Sequence, residues 1–140
     1  VADRQGVRWF NDSIATTPES VMVALEAFDC GRILIAGGYD KGIAFDTLAQ
    51  AIVTQAKAVI LLGQTGQSLR HAIKVCDPSF EPIISVKTLQ EAVVRANDLA
   101  DSGDVVLLSP ACASYDMFDN FQDRGDQFRQ CVFDLFNASV

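Results

Sequence analysis

Asp104-Val105-Val106-Leu107-Leu108-Ser109-Pro110-Ala111-Cys112-Ala113-Ser114-Tyr115-Asp116 decides how this chain folds. Asp104 to Leu108 reads as a strand, and its apolar run has the pattern of one covered on both faces. The apolar run then breaks into serines, small residues and a proline. In an open α/β sheet the turn after a strand's carboxyl end is where ligands bind. Small side chains let a ligand approach the backbone, and hydroxyls both donate and accept hydrogen bonds. The same strand-then-turn arrangement occurs at Asn11-Asp12-Ser13-Ile14-Ala15-Thr16-Thr17-Pro18 and at Gly37-Gly38-Tyr39-Asp40-Lys41-Gly42. Strands running in parallel would bring all of these turns to one edge and into one pocket.

Working outward, strands alternate with helices. Asp3-Arg4-Gln5-Gly6 reads as a hairpin turn leading into a strand from Val7 to Phe10, with only Val1-Ala2 left of the incoming strand. Thr17-Pro18-Glu19 starts a helix, with a hydroxyl cap, proline at the first helical position and an acid in the first turn. Val21, Leu25 and Phe28 give that helix an apolar face, and Gly31 stops it. Arg32 to Ala36 is a strand, Asp46 to Gln55 a helix capped by Asp46, Ala58 to Leu62 a strand, and Gln67 to Ile73 a short helix. Pro78 and Pro82 bracket a loop before a strand from Ile83 to Val86. Thr88-x-x-Glu91 is a capping box, opening a helix to about Asp101 whose inner face carries Ala92, Ala96, Leu99 and Ala100. Phe128, Cys131, Val132, Leu135 and Phe136 mark a closing amphipathic helix. The expected fold is α/β, a Rossmann-like three-layer sandwich with a mostly parallel sheet flanked by helices. Its first strand, coming from a hairpin, is expected to be antiparallel.

The chain has 140 residues, the size of one domain, and is 49% hydrophobic, enough for a real core. Its net charge of −7 disfavours nucleic acid and anionic membranes as partners. It contains no apolar run of about 18 residues that would span a membrane and no signal-peptide pattern. Val1 in place of a starting methionine, and the nearly missing incoming strand, read as a piece of something longer. Cys30, Cys76, Cys112 and Cys131 show no metal-ligand spacing, so free thiols in a reducing compartment are expected. His71, the single histidine, reads as a surface helix residue rather than a catalytic base.

The candidate chemistry gathers in the turns. Together they offer Asp12, Ser13, Thr16, Lys41, Ser109 and Ser114, with two helix N-termini aimed at the same edge. This set suits a small anion, a carboxylate or a phosphate. Neither GxxxxGK[ST] nor GxGxxG is present, so the chain holds no standard nucleotide cradle. Each residue also has a plainer role: Lys41 as a solvated lysine, the serines as helix caps, Gly37-Gly38 as a tight turn and Cys112 as a small packed residue. Arg124-Gly125-Asp126, an adhesion tripeptide in form, is expected to sit before a helix, and Asp116, Asp119, Asp123 and Asp126 to form a solvated face or to supply helix-start charges.

In order and spacing these turns, running on through Met117-Phe118 to Phe121 and Arg124-Gly125, resemble the C-terminal domain of the Mur ligases. These are ATP-dependent amide ligases of peptidoglycan synthesis. The first turn most resembles the members that add D-glutamate to UDP-N-acetylmuramoyl-L-alanine; sister enzymes carry a histidine or tyrosine after the acid. The resemblance implies a three-domain cytoplasmic enzyme, with magnesium and most of the ATP site in a central domain absent from this chain. By motif position it implies that Thr16, Lys41 and Ser114 hold the carboxylates of D-glutamate. Tyr115 and Phe121 would shape that pocket, Phe121 partly through its backbone N–H, and Asp12 would meet the ribose of ATP. No metal ligand and no catalytic residue is expected here, so the piece alone is expected to be inactive. Two departures stand out: Ile14 occupies a position where many members have lysine, and a family arginine that touches ATP would fall upstream of Val1. The alternatives are a standalone small-anion-binding α/β module and another amide ligase of the superfamily, such as a folylpolyglutamate synthase.

Overall fold

A computed structural model of the chain describes residues 2–4, 6–11, 18–37, 46–62, 66–108 and 121–137. The elements follow as β1 (Ala2–Arg4), β2 (Val7–Asn11), α1 (Pro18–Glu26), β3 (Arg32–Ala36), α2 (Asp46–Gln55), β4 (Ala58–Leu61), α3 (Gly66–Cys76), β5 (Ile83–Ser85), α4 (Leu89–Leu99), β6 (Val105–Leu108) and α5 (Phe121–Asn137). The sheet has the order β1-β2-β6-β3-β4-β5. β1 pairs antiparallel with β2, and every other pair is parallel.

The apolar runs are explained by two cores, one on each face. Along β3, Ile33 and Ile35 enter one core while Leu34 and Ala36 enter the other; along β6, Val106 and Leu108 oppose Val105 and Leu107 in the same way. One core is closed by Val21 and Leu25 of α1, Leu48 and Ile52 of α2, and Leu69 and Ile73 of α3. The other is closed by Leu89, Ala92, Val93 and Ala96 of α4 and Phe128 and Val132 of α5. A right-handed crossover puts its helix on a face set by the direction of the step across the sheet. From β2 through β5 the chain steps one way, so α1, α2 and α3 share a face. From β5 it steps back to β6, so α4 lies on the other.

The structure refines several expectations. Asp3 and Arg4 belong to the strand rather than to the hairpin turn. α1 ends at Glu26, short of Gly31, and Phe28 packs from the connection, 5.0 Å between ring centroids from Phe10. α3 runs to Cys76, past Ile73. Arg124-Gly125-Asp126 lies inside α5, not ahead of it. Cys30, Cys76 and Cys131 are free thiols, and burial pushes the Cys131 thiol above its ordinary value. Cys112 lies outside the described residues.

At the edge where the parallel strands begin, Lys57 Nζ bridges Asp101 Oδ2 at 2.9 Å and Asp104 Oδ2. Asp104 Oδ2 also accepts from the Asp101 N–H at 2.8 Å. This cluster ties the α4–β6 turn to the start of β4 and faces away from the edge where the candidate turns begin.

Candidate functional site

The carboxyl ends of β2, β6 and β3 lie side by side. Asn11 is in register with Leu108, and Leu108 with Ile35. β6 sits between two strands whose following helices, α1 and α2, cover one face, while its own following helix, α5, covers the other. Connections that part to opposite faces leave a crevice at the strand ends, and this is where ligands bind in open α/β sheets. The segments 12–17, 38–45 and 109–120 all depart from that point. α1 and α5 both begin at this edge, so the positive ends of their dipoles face it.

Gly37 fixes how β3 leaves the sheet. Its φ is 113°, and a Cβ there would stand 2.9 Å from the carbonyl carbon of Leu62 and collide with its oxygen. The Leu62 N–H donates to the Ala36 carbonyl at 2.9 Å, holding the β4 exit against the β3 exit. Only glycine meets both the backbone sign and the space. The requirement for glycine thus holds at Gly37, at the crevice; Gly38 and the rest of the expected tight turn lie outside the described residues.

Asp12, Ser13, Thr16, Lys41, Ser109, Ser114 and Tyr115 lie outside the described residues. Of the candidate residues, Phe121 is placed through its backbone, as the first residue of α5. His71 is exposed on α3, as expected of a surface position.

Two residues near the crevice carry more than their motif position suggested. Arg124, one turn into α5, is only 1% exposed and is engaged rather than free. A guanidinium is buried only when its donors are met. Asn11, at the last position of β2, is half-buried against Gly125. The available signal was a glycine inside a helical pattern, which marks a close approach by another group.

Elsewhere among the described residues, a groove of about 560 Å³ lies beside β5 and α4, lined by Ile84, Ser85, Val86, Glu91, Val94 and Arg95 among others. It stands at the far edge of the sheet from β2 and takes no residue from the three departing segments.

The family model described as Mur ligase, glutamate ligase domain, matches residues 1–112. The chain is 45% identical over 136 residues to the UDP-N-acetylmuramoylalanine–D-glutamate ligase of Caldanaerobacter subterraneus subsp. tengcongensis, and 46% over 138 residues to that of Clostridium botulinum. In each case 96% of the chain is covered and 30% of the relative. The enzyme of the same name from Nitrosococcus oceani is 45% identical over 140 residues, 99% of the chain and 30% of the relative. The chain thus spans 30% of the length of these curated relatives. Among solved structures, MurF ligase from Thermotoga maritima in complex with ADP superposes with a TM-score of 0.65 at 15% identity, over 100% of this chain and 31% of that one. UDP-N-acetylmuramate-alanine ligase MurC from the same organism gives 0.61 at 14% identity, over 97% and 28%. These two likenesses bear on the fold; the match to the family model, over most of the chain, places the protein in the Mur ligase family through its glutamate ligase domain.

Proposed function

We propose that these 140 residues form a single domain, the amino-acid-binding domain of a longer three-domain chain that joins D-glutamate to UDP-N-acetylmuramoyl-L-alanine with ATP. The reaction is a cytoplasmic step of peptidoglycan precursor synthesis. The observation that carries this reading is the meeting of β2, β6 and β3 at one edge, from which all three motif segments depart. The names of relatives at about 45% identity favour it over a standalone anion-binding module or a folylpolyglutamate synthase.

In the proposed reaction ATP phosphorylates the carboxylate of the nucleotide-linked substrate, releasing ADP. The amine of D-glutamate attacks the acyl phosphate, an amide forms and phosphate leaves. This chain's part is to hold the amino acid. Lys41 supplies positive charge to a dianionic guest, Thr16 and Ser114 supply hydroxyl donors, Tyr115 and Phe121 bound the pocket, and Asp12 accepts from the ATP ribose. The dipoles of α1 and α5 act in the same direction as Lys41. Magnesium, which the family implies, finds no group of three His, Cys, Asp or Glu side chains among the described residues, and no step here uses it.

At 4 Å from a carboxylate the Lys41 charge is worth about 1 kcal/mol in water-like surroundings and about 4 kcal/mol in a shielded cleft. Lys41→Ala in the full-length protein is therefore expected to raise the KM for D-glutamate about 10- to 100-fold. The KM for the nucleotide-linked substrate should stay within about twofold. Steady-state ADP release with each substrate varied in turn is the test, and an unchanged D-glutamate KM counts against the assignment of Lys41.

A further inference from the structure

The contact between Asn11 and Gly125 sits one step nearer the crevice than the main aromatic contact of its core. Trp9 and Phe128, both fully buried, pack with ring centroids 6.4 Å apart. Asn11 is two residues beyond Trp9 along β2, hence on the same sheet face; Gly125 is three before Phe128, hence on the same side of α5. Where the aromatic pair holds helix and strand apart, the next pair lets them close. A Cβ on Gly125 would stand 2.7 Å from Asn11 Nδ2, 3.1 Å from Oδ1 and 3.3 Å from Cγ. Glycine is the poorest helix former after proline, and here it stands one turn inside a 17-residue helix. Its φ is not among the positive ones, so backbone conformation does not call for it; the space taken by the Asn11 amide does.

Both partners adjoin the proposed substrate segments. Asn11 is bonded to Asp12 and is in register with Leu108, which precedes Ser109. Gly125 shares the opening turns of α5 with Phe121 and the buried Arg124. We propose that Asn11 is a positioning residue: its amide, seated against the bare backbone at Gly125, sets the spacing between the end of β2 and the start of α5, and with it the geometry in which D-glutamate is held. This rests on the function proposed above.

The test uses the full-length protein with Gly125→Ala, Asn11→Ala and the double variant. Gly125→Ala crowds the amide and is expected to raise the D-glutamate KM about tenfold, with kcat and the KM for ATP changed less than about threefold. Asn11→Ala opens the same space rather than filling it, and is expected to raise the same KM. In the double variant the added methyl meets no amide, so its KM should match that of Asn11→Ala alone. A mere packing role would lower melting temperature and kcat without singling out one substrate. The inference is overturned if Gly125→Ala leaves the D-glutamate KM within twofold, or if the two single effects multiply in the double variant. Absence of D-glutamate-dependent turnover in the unsubstituted protein overturns the function reading instead, so the two failures are told apart.

Discussion

At Gly37 the chain leaves β3 with a φ of 113° and with Leu62 where a side chain would go. Alanine there meets both the left-handed backbone penalty and a steric collision, so Gly37→Ala is expected to cost about 3 kcal/mol. A urea unfolding curve with an unchanged slope and an earlier midpoint checks this. At the opposite edge, the Asp104 side chain is 11% exposed and is met by Lys57 and by the Asp101 N–H. Lys57→Met leaves the carboxylate with the N–H alone, an expected loss of about 1–2 kcal/mol, held to that size by the solvent around the lysine. The hydrogen bond to Asp104, then that to Asp101, raises the Lys57 pKa above 10.5. A raised lysine pKa means stability fully present below pH 10.5 and lost as pH rises through the higher, folded value. Thermal melts of wild type and Lys57→Met should therefore differ near neutrality and converge above pH 10.5; a gap that persists unchanged into strong alkali sinks the assignment.

At the scale of elements, β5 shows how an exposed sheet edge is kept from pairing. β5 bonds to β4 through positions 82, 84 and 86: the Val59 N–H donates to the Pro82 carbonyl at 3.2 Å and the Val86 N–H to the Leu61 carbonyl at 2.9 Å. The Ile83 groups therefore face outward. Both are capped by side chains, the N–H donating to Glu81 Oε2 at 3.2 Å and the carbonyl accepting from Arg70 at 3.3 Å. Lys74 holds the arrangement, donating to Glu81 at 2.8 Å and to the Phe80 carbonyl at 3.1 Å. Blocking an edge in this way prevents a second chain from adding to it. Arg70→Ala is expected to leave the fold intact and to produce concentration-dependent association in sedimentation velocity, where the parent stays unassociated. The Lys74 hydrogen bond lowers the Glu81 pKa below 4.5, so the carboxylate cap holds above that pH and is lost as pH falls through the lower value; wild-type association should begin there. The Arg70 cap was not legible in the sequence, because Arg70 reaches the Ile83 carbonyl only after α3 and β5 are both placed against β4. The Glu81 contact, two residues from Ile83, is local, but that this is an edge needing a cap depends on the sheet order. Local signals read well by contrast. Thr88 caps α4 by accepting from the Glu91 N–H at 3.1 Å, as the capping box implied. The bounds of β3 and α2 also match their apolar patterns. α3 outran its expected end by residues that bury no apolar surface, Val75 and Cys76 being exposed. Lys74 ties that last turn to the connection that follows by donating to the Phe80 carbonyl and to Glu81, a contact that local propensity does not carry.

Over the whole molecule, the alternation of strand and helix was enough to place the candidate turns on one edge, but not to say which would be neighbours. That depends on β6 entering between β2 and β3, a pairing across nearly the whole chain. The insertion creates the crevice, and both cores are built from helices of this chain: β3, β4 and β6 are buried at nearly every position, while the flanking β2 and β5 leave Arg8 and Ser85 exposed. A sheet so covered needs no further domain to fold. The proposed reaction does need one, since relatives bearing the ligase name are more than three times as long and the chain covers 30% of them. The 140-residue chain on its own is therefore expected to unfold in one cooperative step while releasing no ADP from ATP, D-glutamate and the nucleotide-linked acid. Its single tryptophan, Trp9, is fully buried between β2 and α5 and reports on tertiary packing. Fluorescence of Trp9 and far-ultraviolet circular dichroism should lose signal at the same urea concentration, the mark of a two-state transition. Separate midpoints would mean that the α5 face depends on contacts outside this chain, and ADP release by these 140 residues would mean that the additional length of the relatives is not where the chemistry resides.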